Sequence, residues 1–402
     1  MAVLLLGTLD TKGLEVAFVR DRLVAAGVSV VVADAGVLSL PTIPADISRD
    51  EFFNLVGVKA ANLKTAGDRG RAVSLAADAA AKLAVRLHRD GKLTGILGLG
   101  GSAGTTIATA AMRALPLGVP KVMVSTLASG QVRPYVGNRD VMMVYSVVDI
   151  AGLNSVSRIV LANAASAMIG MIQQREKGIE KNSDKRLITA TMFGVTTPCV
   201  EAARKDIETA GFEVLTFHAT GSGGQTMEGL IKDGLVAGVL DITTTELADE
   251  LVGGVLSAGP DRLTAAAIAG VPQVISLGAL DMVNFGPVET VPERFRDRRF
   301  YQHNSTVTLM RTTPEENDQL GKEIAQKASA AKGPTAVLVP LKGVSAIDAE
   351  GKPFWWPEAD AALFQSLRNW AYGFELIELD LHINDPAFAA AAARKLLELL
   401  RR

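Results

Sequence analysis

Apolar, β-branched runs alternate along this chain with stretches whose apolar residues recur at helical spacing. Residues 3–6 read as a strand, and the next segment places Val16, Val19, Leu23 and Ala26 on one face at i, i+3, i+7 and i+10. Residues 28–33 read as a second strand. The stretch 40–70 contains Pro41 and Pro44 and has no clean period. A helix over 71–88, a strand over 95–97 with a helix behind it, strands over 122–125 and 142–148, and a long apolar helix over 156–174 follow. Strands of continuous apolar character separated by helices predict a parallel sheet covered on both faces.

A polar stretch, 175–186, interrupts the pattern and is the expected domain boundary, giving domains 1–178 and 186–402. The scheme then restarts: a strand over 187–192, a helix over 199–210, and strands over 212–217, 236–240, 273–277, 336–339 and 375–379. Three turns recur in the same order in both halves. Ala26-Gly-Val-Ser-Val30 parallels Ala210-Gly-Phe-Glu-Val214, and Asp90-Gly-Lys-Leu-Thr-Gly-Ile-Leu97 parallels Asp233-Gly-Leu-Val-Ala-Gly-Val-Leu240. Gly118-Val-Pro120 parallels Gly270-Val-Pro272. The expected fold is α/β: two Rossmann-like, doubly wound, mostly parallel domains related by duplication, with ligand bound between them or at their facing loops.

Composition changes this picture little. A 48% apolar, 21% charged chain has ample core for such domains, and a net charge of -2 argues against nucleic acid or an anionic membrane surface as partner. One cysteine, Cys199, excludes internal disulfides, and with four scattered histidines it offers no zinc spacing. No signal peptide or membrane span is expected, and the expected compartment is the cytoplasm.

The densest chemical signal is Thr94-Gly-Ile-Leu-Gly-Leu-Gly-Gly-Ser-Ala-Gly-Thr-Thr106, an apolar run ending in Gly98, Gly100, Gly101 and Gly104 before good helix material. Strand, glycine turn and helix start in that order present free N–H groups and a positive dipole end to an anion. Gly98, Gly100 and Ala103 satisfy the dinucleotide spacing, but no Asp or Glu lies between Asp90 and Asp140 to hold a ribose, which disfavours NAD. No Walker lysine follows. Lys92, Arg113, Lys121, Arg133 and Arg139 in this acid-free window suit an anionic ligand. A glycine turn that merely packs helix on strand is the competing reading.

The carboxyl ends of the other predicted strands are also polar, and ligands of such sheets gather there. The first leads into Gly7-Thr-Leu-Asp-Thr-Lys-Gly13, where Thr8, Asp10, Thr11 and Lys12 can hold phosphate oxygens or a cation. With Gly100, Gly101, Ser102, Gly104, Thr105 and Thr106 they form the expected nucleotide site. A second glycine cluster, Thr220-Gly-Ser-Gly-Gly-Gln-Thr226, can form another anion nest. In the second half His218, Asp241, Glu246, Asp281 and His382 are the candidate catalytic groups. A histidine near a carboxylate can act as acid or base, and Asp241 with Glu246, or Asp281, can bind Mg²⁺ beside phosphates. For each acidic or threonine residue alone, helix capping is the commoner role. The tract 297–304, with His303, suits an anion or a subunit contact.

Several motifs together carry a family resemblance: Gly7-Thr-Leu-Asp-Thr-Lys-Gly13, Gly100-Gly-Ser-Ala-Gly-Thr-Thr106, Asp149-Ile-Ala-Gly-Leu-Asn-Ser155, the His218 glycine loop, Asp241-Ile-Thr-Thr-Thr-Glu-Leu-Ala-Asp249, Ser257-Ala-Gly-Pro-Asp-Arg262, Gly278-Ala-Leu-Asp-Met-Val-Asn-Phe285 and His382-Ile-Asn-Asp-Pro386. The chain resembles the ATP-binding N-terminal domain of the tomato mosaic virus resistance protein and its largely uncharacterised bacterial relatives, over nearly its whole length. The resemblance implies two Rossmann-like subdomains, ATP binding and a homodimer, and brings no enzymatic activity with it. The plant protein's barrel-like C-terminal domain is not expected here. Two functional classes stay open: an enzyme acting on a phosphorylated or carboxylated small metabolite, and a nucleotide-binding regulatory or scaffold protein without turnover.

Overall fold

The computed structural model describes residues 1–178 and 185–401. Residues 179–184, the middle of the polar stretch expected as the boundary, lie outside the described residues. The chain falls into two compact units, one on either side of them.

The first unit runs β1 (Ala2–Gly7), α1 (Leu9–Ala25), β2 (Val30–Asp34), α2 (Arg49–Asn54), α3 (Ala60–Ala66), α4 (Arg69–Arg89), β3 (Leu93–Gly100), α5 (Ser102–Arg113), β4 (Lys121–Ser125), α6 (Arg133–Val136), β5 (Met142–Tyr145) and α7 (Ser155–Lys177). Its five strands are all parallel, in the order β2-β1-β3-β4-β5. Alternation along β1 divides the core. Leu4 and Leu6 pack with Ala79, Leu83 and Met112 of α4 and α5, while Val3 and Leu5 pack with Val16, Val19, Leu161 and Met168 of α1 and α7. Covering both faces is what makes the strands apolar throughout.

Three expectations need correction in this unit. The fifth strand stops at Tyr145 rather than reaching 148, and Val147 takes a left-handed φ of 65° that no strand admits. The aperiodic stretch 40–70 contains two short helices, α2 and α3, too brief to show a period. Helix α7 is long and apolar enough to cross a membrane by length and composition, with mean hydropathy 1.4 over its best window. Its Leu161, Ala164, Ala165, Met168 and Ile172 are core residues.

The second unit runs β6 (Leu187–Met192), α8 (Thr197–Thr209), β7 (Glu213–His218), α9 (Ser222–Lys232), β8 (Gly238–Thr243), α10 (Thr245–Val252), α11 (Ala265–Ala269), β9 (Gln273–Gly278), β10 (Met282–Phe285), β11 (Phe300–Asn304), β12 (Val307–Arg311), α12 (Pro314–Ser329), β13 (Thr335–Pro340), α13 (Pro357–Trp370), β14 (Glu375–Leu379) and α14 (Pro386–Leu399). Its main sheet, β14-β13-β9-β8-β6-β7, is also all parallel. Strands β10, β12 and β11 form a separate antiparallel sheet that the periodicity did not reveal.

Counted within each unit, both main sheets share the order 2-1-3-4-5, and the second adds a sixth strand. The recurring turns land at equivalent places, before the second, third and fourth strand of each sheet. Their glycines, Gly27 and Gly211, Gly91 and Gly234, Gly118 and Gly270, all take positive φ between 65° and 95°. That conformation closes a helix or turn before a strand at little cost only in glycine. The equivalence supports duplication.

Candidate functional site

In a 2-1-3-4-5 sheet the chain leaves the first strand toward one edge and returns to start the third on its other side. The crevice beyond the carboxyl ends of those two strands is where such folds bind ligands. A cavity of about 530 Å³ lies there in the first unit, within the range of small-molecule sites. Thr8, Asp10, Thr11 and Lys12 line it from the turn after β1, and Gly100, Gly101, Ser102, Ala103 and Gly104 from the turn after β3. The remaining wall is largely apolar: Val37 and Leu38 after β2, Leu63 from α3, Ala72, Val73 and Ala76 from α4, and Ile107 from α5. Asp68, Arg69 and Asp149 add charge at the rim.

Helix α5 starts at this cavity without a plug. Its N-cap is Gly101, which has no side chain to accept from the first turn, so the N–H groups of Ser102, Ala103 and Gly104 lack an intrahelical acceptor. A Cβ at Gly98 would sit 2.3 Å from Ala108 Cβ, so this glycine is what lets α5 lie close on β3. At Gly101, by contrast, an added Cβ would meet only Thr126 Oγ1, at 3.7 Å.

The turn after β1 is held more firmly than expected. Asp10 Oδ2 accepts from the N–H groups of Leu38 (2.7 Å) and Ser39 (3.3 Å), tying that loop to α1. Lys12 has a non-helical φ/ψ of -129°, 17° inside α1, and its ammonium donates to the Ile150 carbonyl. The next turn of α1 pins the same loop, with the Gly152 N–H donating to buried Glu15 at 2.6 Å. Lys12 is thus anchored while still lining the cavity.

Eight of the ten residues expected at a nucleotide line this cavity. Thr105 and Thr106 do not. Thr105 Oγ1 donates to the Gly101 carbonyl and contacts Ser125 Oγ at 2.7 Å, and Thr106 Oγ1 donates to the Ser102 carbonyl. The cations lining the cavity are Lys12 and Arg69, not those of the acid-free window. Lys121 is buried against Asp140 at 2.7 Å, and Arg113 donates to the Tyr135 carbonyl. Asp34, the acid that ends β2, accepts from the Leu9 and Gly36 N–H groups and pairs with Arg49 at 2.8 Å. The apolar wall was not foreseen. Its signal was the helical spacing of Ala72, Ala76, Ala79 and Leu83, which marks an apolar helix face but not which end of it lines a crevice.

In the second unit the glycine cluster before α9 has the opposite character. Glu246 Oε1 accepts from the Gly221 and Gly224 N–H groups at 2.7 and 3.1 Å, so a carboxylate of the chain itself fills the nest. A Cβ at Gly224 would lie 2.2 Å from Glu246 Oε2. Arg262, fully buried, donates to Glu246 at 2.6 Å and to both oxygens of Asp241 at 2.5 and 2.6 Å, and reaches Glu228 at 3.5 Å. Glu228 in turn accepts from the Leu263 and Ala265 N–H groups, and Asp241 from Thr191 Oγ1. Burial opposes the charge on Arg262, yet Asp241, Glu246 and Glu228 hold its pKa well above the usual value. Burial pushes Glu246 up against the pull of Arg262. Helix α8 is plugged too: Asn384 Oδ1 accepts from the Cys199 N–H.

The remaining catalytic candidates do not converge on that cluster. Asp281, fully buried, accepts from Ser345 Oγ at 2.7 Å, and His382 Nε2 lies 2.9 Å from the Ser345 carbonyl. Asp281 and His382 therefore flank one serine, while Asp241 and Glu246 share Arg262. His218 ends β7, exposed, and His303 is exposed on β11. In the tract 297–304, Arg298 pairs with Glu316 at 2.6 Å and Arg299 stacks over Trp356. Among the described residues no three His, Cys, Asp or Glu side chains are grouped to hold a metal.

Residues 1–177 match the model of the uncharacterised protein family (UPF0261) N-terminal domain, and residues 185–400 that of its C-terminal domain. A UPF0261 protein of Clostridium tetani is 51% identical over 402 residues, covering 100% of this chain and 99% of the relative. UPF0261 protein RA0729 of Rhizobium meliloti is 48% identical, covering 97% of each chain. The ToMV resistance protein Tm-1(GCR237) of Solanum lycopersicum is 44% identical over 337 residues, which are 82% of this chain but 45% of the tomato protein. A solved UDP-N-acetylglucosamine 2-epimerase from Rickettsia bellii aligns over 100% of this chain and 95% of its own at 10% identity, with a TM-score of 0.23. The chain belongs to the UPF0261 family, as do the tomato Tm-1 proteins.

Proposed function

We propose that this UPF0261 protein binds ATP in the cavity of its first unit and acts as a nucleotide-dependent regulatory or scaffold protein. The observation that carries the reading is the unplugged N-terminus of α5 at the topological switch point, facing an apolar wall. Helix N–H groups suit the phosphates. The wall of Val37, Leu38, Leu63, Val73 and Ile107 suits a base. Lys12 adds a positive charge, and Asp10 or Asp149 can hold Mg²⁺ together with phosphate oxygens, since Mg²⁺ commonly takes one or two carboxylates beside phosphates.

Calorimetric titration with Mg-ATP is the test. An added Cβ at Gly101 meets only an ordinary contact with Thr126 Oγ1, and Gly101→Val is expected to weaken binding about tenfold or more by obstructing the open helix end. Wild-type affinity in that variant would put the nucleotide elsewhere.

The enzyme reading keeps one supporting observation, the presence of Lys12, Asp10 and Asp149 around a single cavity. Against it, Asp241 and Glu246 are committed to Arg262 inside the second unit. Phosphate release from ATP at the no-protein background, with and without phosphorylated or carboxylated metabolites, is the expected result. Release above that background would favour the enzyme.

A further inference from the structure

Away from the cavity, Arg311 at the end of β12 is fully buried with three carboxyl groups around it. Its Nη2 donates to Asp360 Oδ1 at 2.5 Å and lies 3.6 Å from Asp348 Oδ1. Its Nε donates to the Phe354 carbonyl and its Nη1 to Thr312 Oγ1. Asp348 Oδ2 accepts from the Val344 N–H and Asp281 Oδ2 from Ser345 Oγ. The other oxygens of Asp281 and Asp348 are buried and have no donor. In the Arg262 cluster Glu228 and Glu246 each accept two main-chain N–H bonds, and Asp241 holds the guanidinium with both oxygens.

Three ionised carboxylates around one guanidinium would leave two uncompensated charges out of water. A buried carboxyl in that position takes up a proton instead. We propose that the Arg311 cluster holds a proton at neutral pH on Asp281, whose Oδ1 is buried without a donor, and that losing it at alkaline pH loosens the segment 343–360 that closes over Arg311.

The charged groups acting on Asp281 are Asp348, Arg311 and Asp360, and those acting on Asp360 are Asp348 and Arg311. Nearby, Arg298 reaches the Arg311 carbonyl but is paired with Glu316, Arg299 donates to the Trp355 carbonyl, and His382 contacts the Ser345 carbonyl. Burial, with Asp348 beside each, pushes Asp281 up to about 8 and Asp360 up to about 7. A folded-state pKa raised above its unfolded value near 4 gives stability that is complete at low pH and lost as pH rises through the folded pKa. The window of loss therefore extends through pH 7 and 8.

All three tryptophans, Trp355, Trp356 and Trp370, lie in the second unit, so tryptophan fluorescence of the full chain follows this unit. The expected result is a melting temperature that falls by several degrees from pH 6 to pH 9 in the wild type. Asp281→Asn, which keeps a neutral side chain at every pH, should flatten that fall. A wild-type melting temperature level across the window would overturn the proposal, as would an Asp281→Asn variant that falls as steeply. Should the variant not fold, amide protection factors over 343–360 in the wild type decide. A decrease at pH 9 relative to pH 6 supports the proposal, and unchanged protection overturns it.

Discussion

The helices α5 and α9 both follow a parallel strand and a glycine-rich turn, yet their N-termini have opposite surroundings. At α5 the turn faces a cavity, and the first N–H groups have no acceptor from their own helix. At α9 Glu246 accepts from the N–H groups of the N-cap Gly221 and of Gly224 in the first turn, and is held in turn by Arg262. The same local sequence pattern thus leaves an open helix end at a cavity in one unit and forms an internal fastening in the other. What decides between them is a carboxylate that reaches the turn from elsewhere in the fold, from the first turn of α10.

The largest effect should come from breaking the fastening. Arg262→Met strands Asp241, Glu246 and Glu228 without their cation. Removal of one partner from a buried ion pair costs about 3–5 kcal/mol. Denaturant unfolding followed by tryptophan fluorescence should lose that much. A loss below about 1 kcal/mol would mean that backbone N–H groups alone stabilise the carboxylates.

On the open side, Lys12→Ala should weaken ATP binding by about 1.5–3 kcal/mol, the range of a charge-assisted hydrogen bond. Its stability cost should be smaller, because the Glu15 bond to the Gly152 N–H still pins the loop. Unchanged affinity would make Lys12 a structural anchor for Ile150 only.

The most direct contrast pairs two glycines. Gly224→Ala forces a methyl against the fixed Glu246 carboxylate and should destabilise the second unit by about 1–3 kcal/mol, as overpacking does. Gly101→Ala meets ordinary contact distances and should stay within about 0.5 kcal/mol of wild type. Equal effects at the two sites would erase the distinction between open and filled turns.

Much of the architecture was legible along the chain. Strands β6 and β14 were bounded to the residue, and the repeated Ala-Gly, Asp-Gly and Gly-Val-Pro turns marked equivalent strands, because a left-handed residue before a strand demands glycine locally. The hairpin sheet of β10, β11 and β12 was missed, since its strands are short and the segment between β10 and β11 holds Pro287 and Pro292. In the cavity, the turns after β1 and β3 meet because strands one and three are neighbours in a 2-1-3-4-5 sheet.

The sequence by itself thus determined the α/β class with its mostly parallel sheets, the edge on which polar groups gather, and the helix whose N-terminus meets a glycine turn. These depend on periodicity and backbone conformation, which neighbouring residues control. Only the tertiary structure decided which of those groups already have partners. Glu246 meets Gly221 across 25 residues, Asn384 meets Cys199 across 185, and Lys12 meets Ile150 across 138. Whether a helix end is open to a ligand is a question of long-range satisfaction of hydrogen bonds. No local pattern records which distant side chain will arrive there.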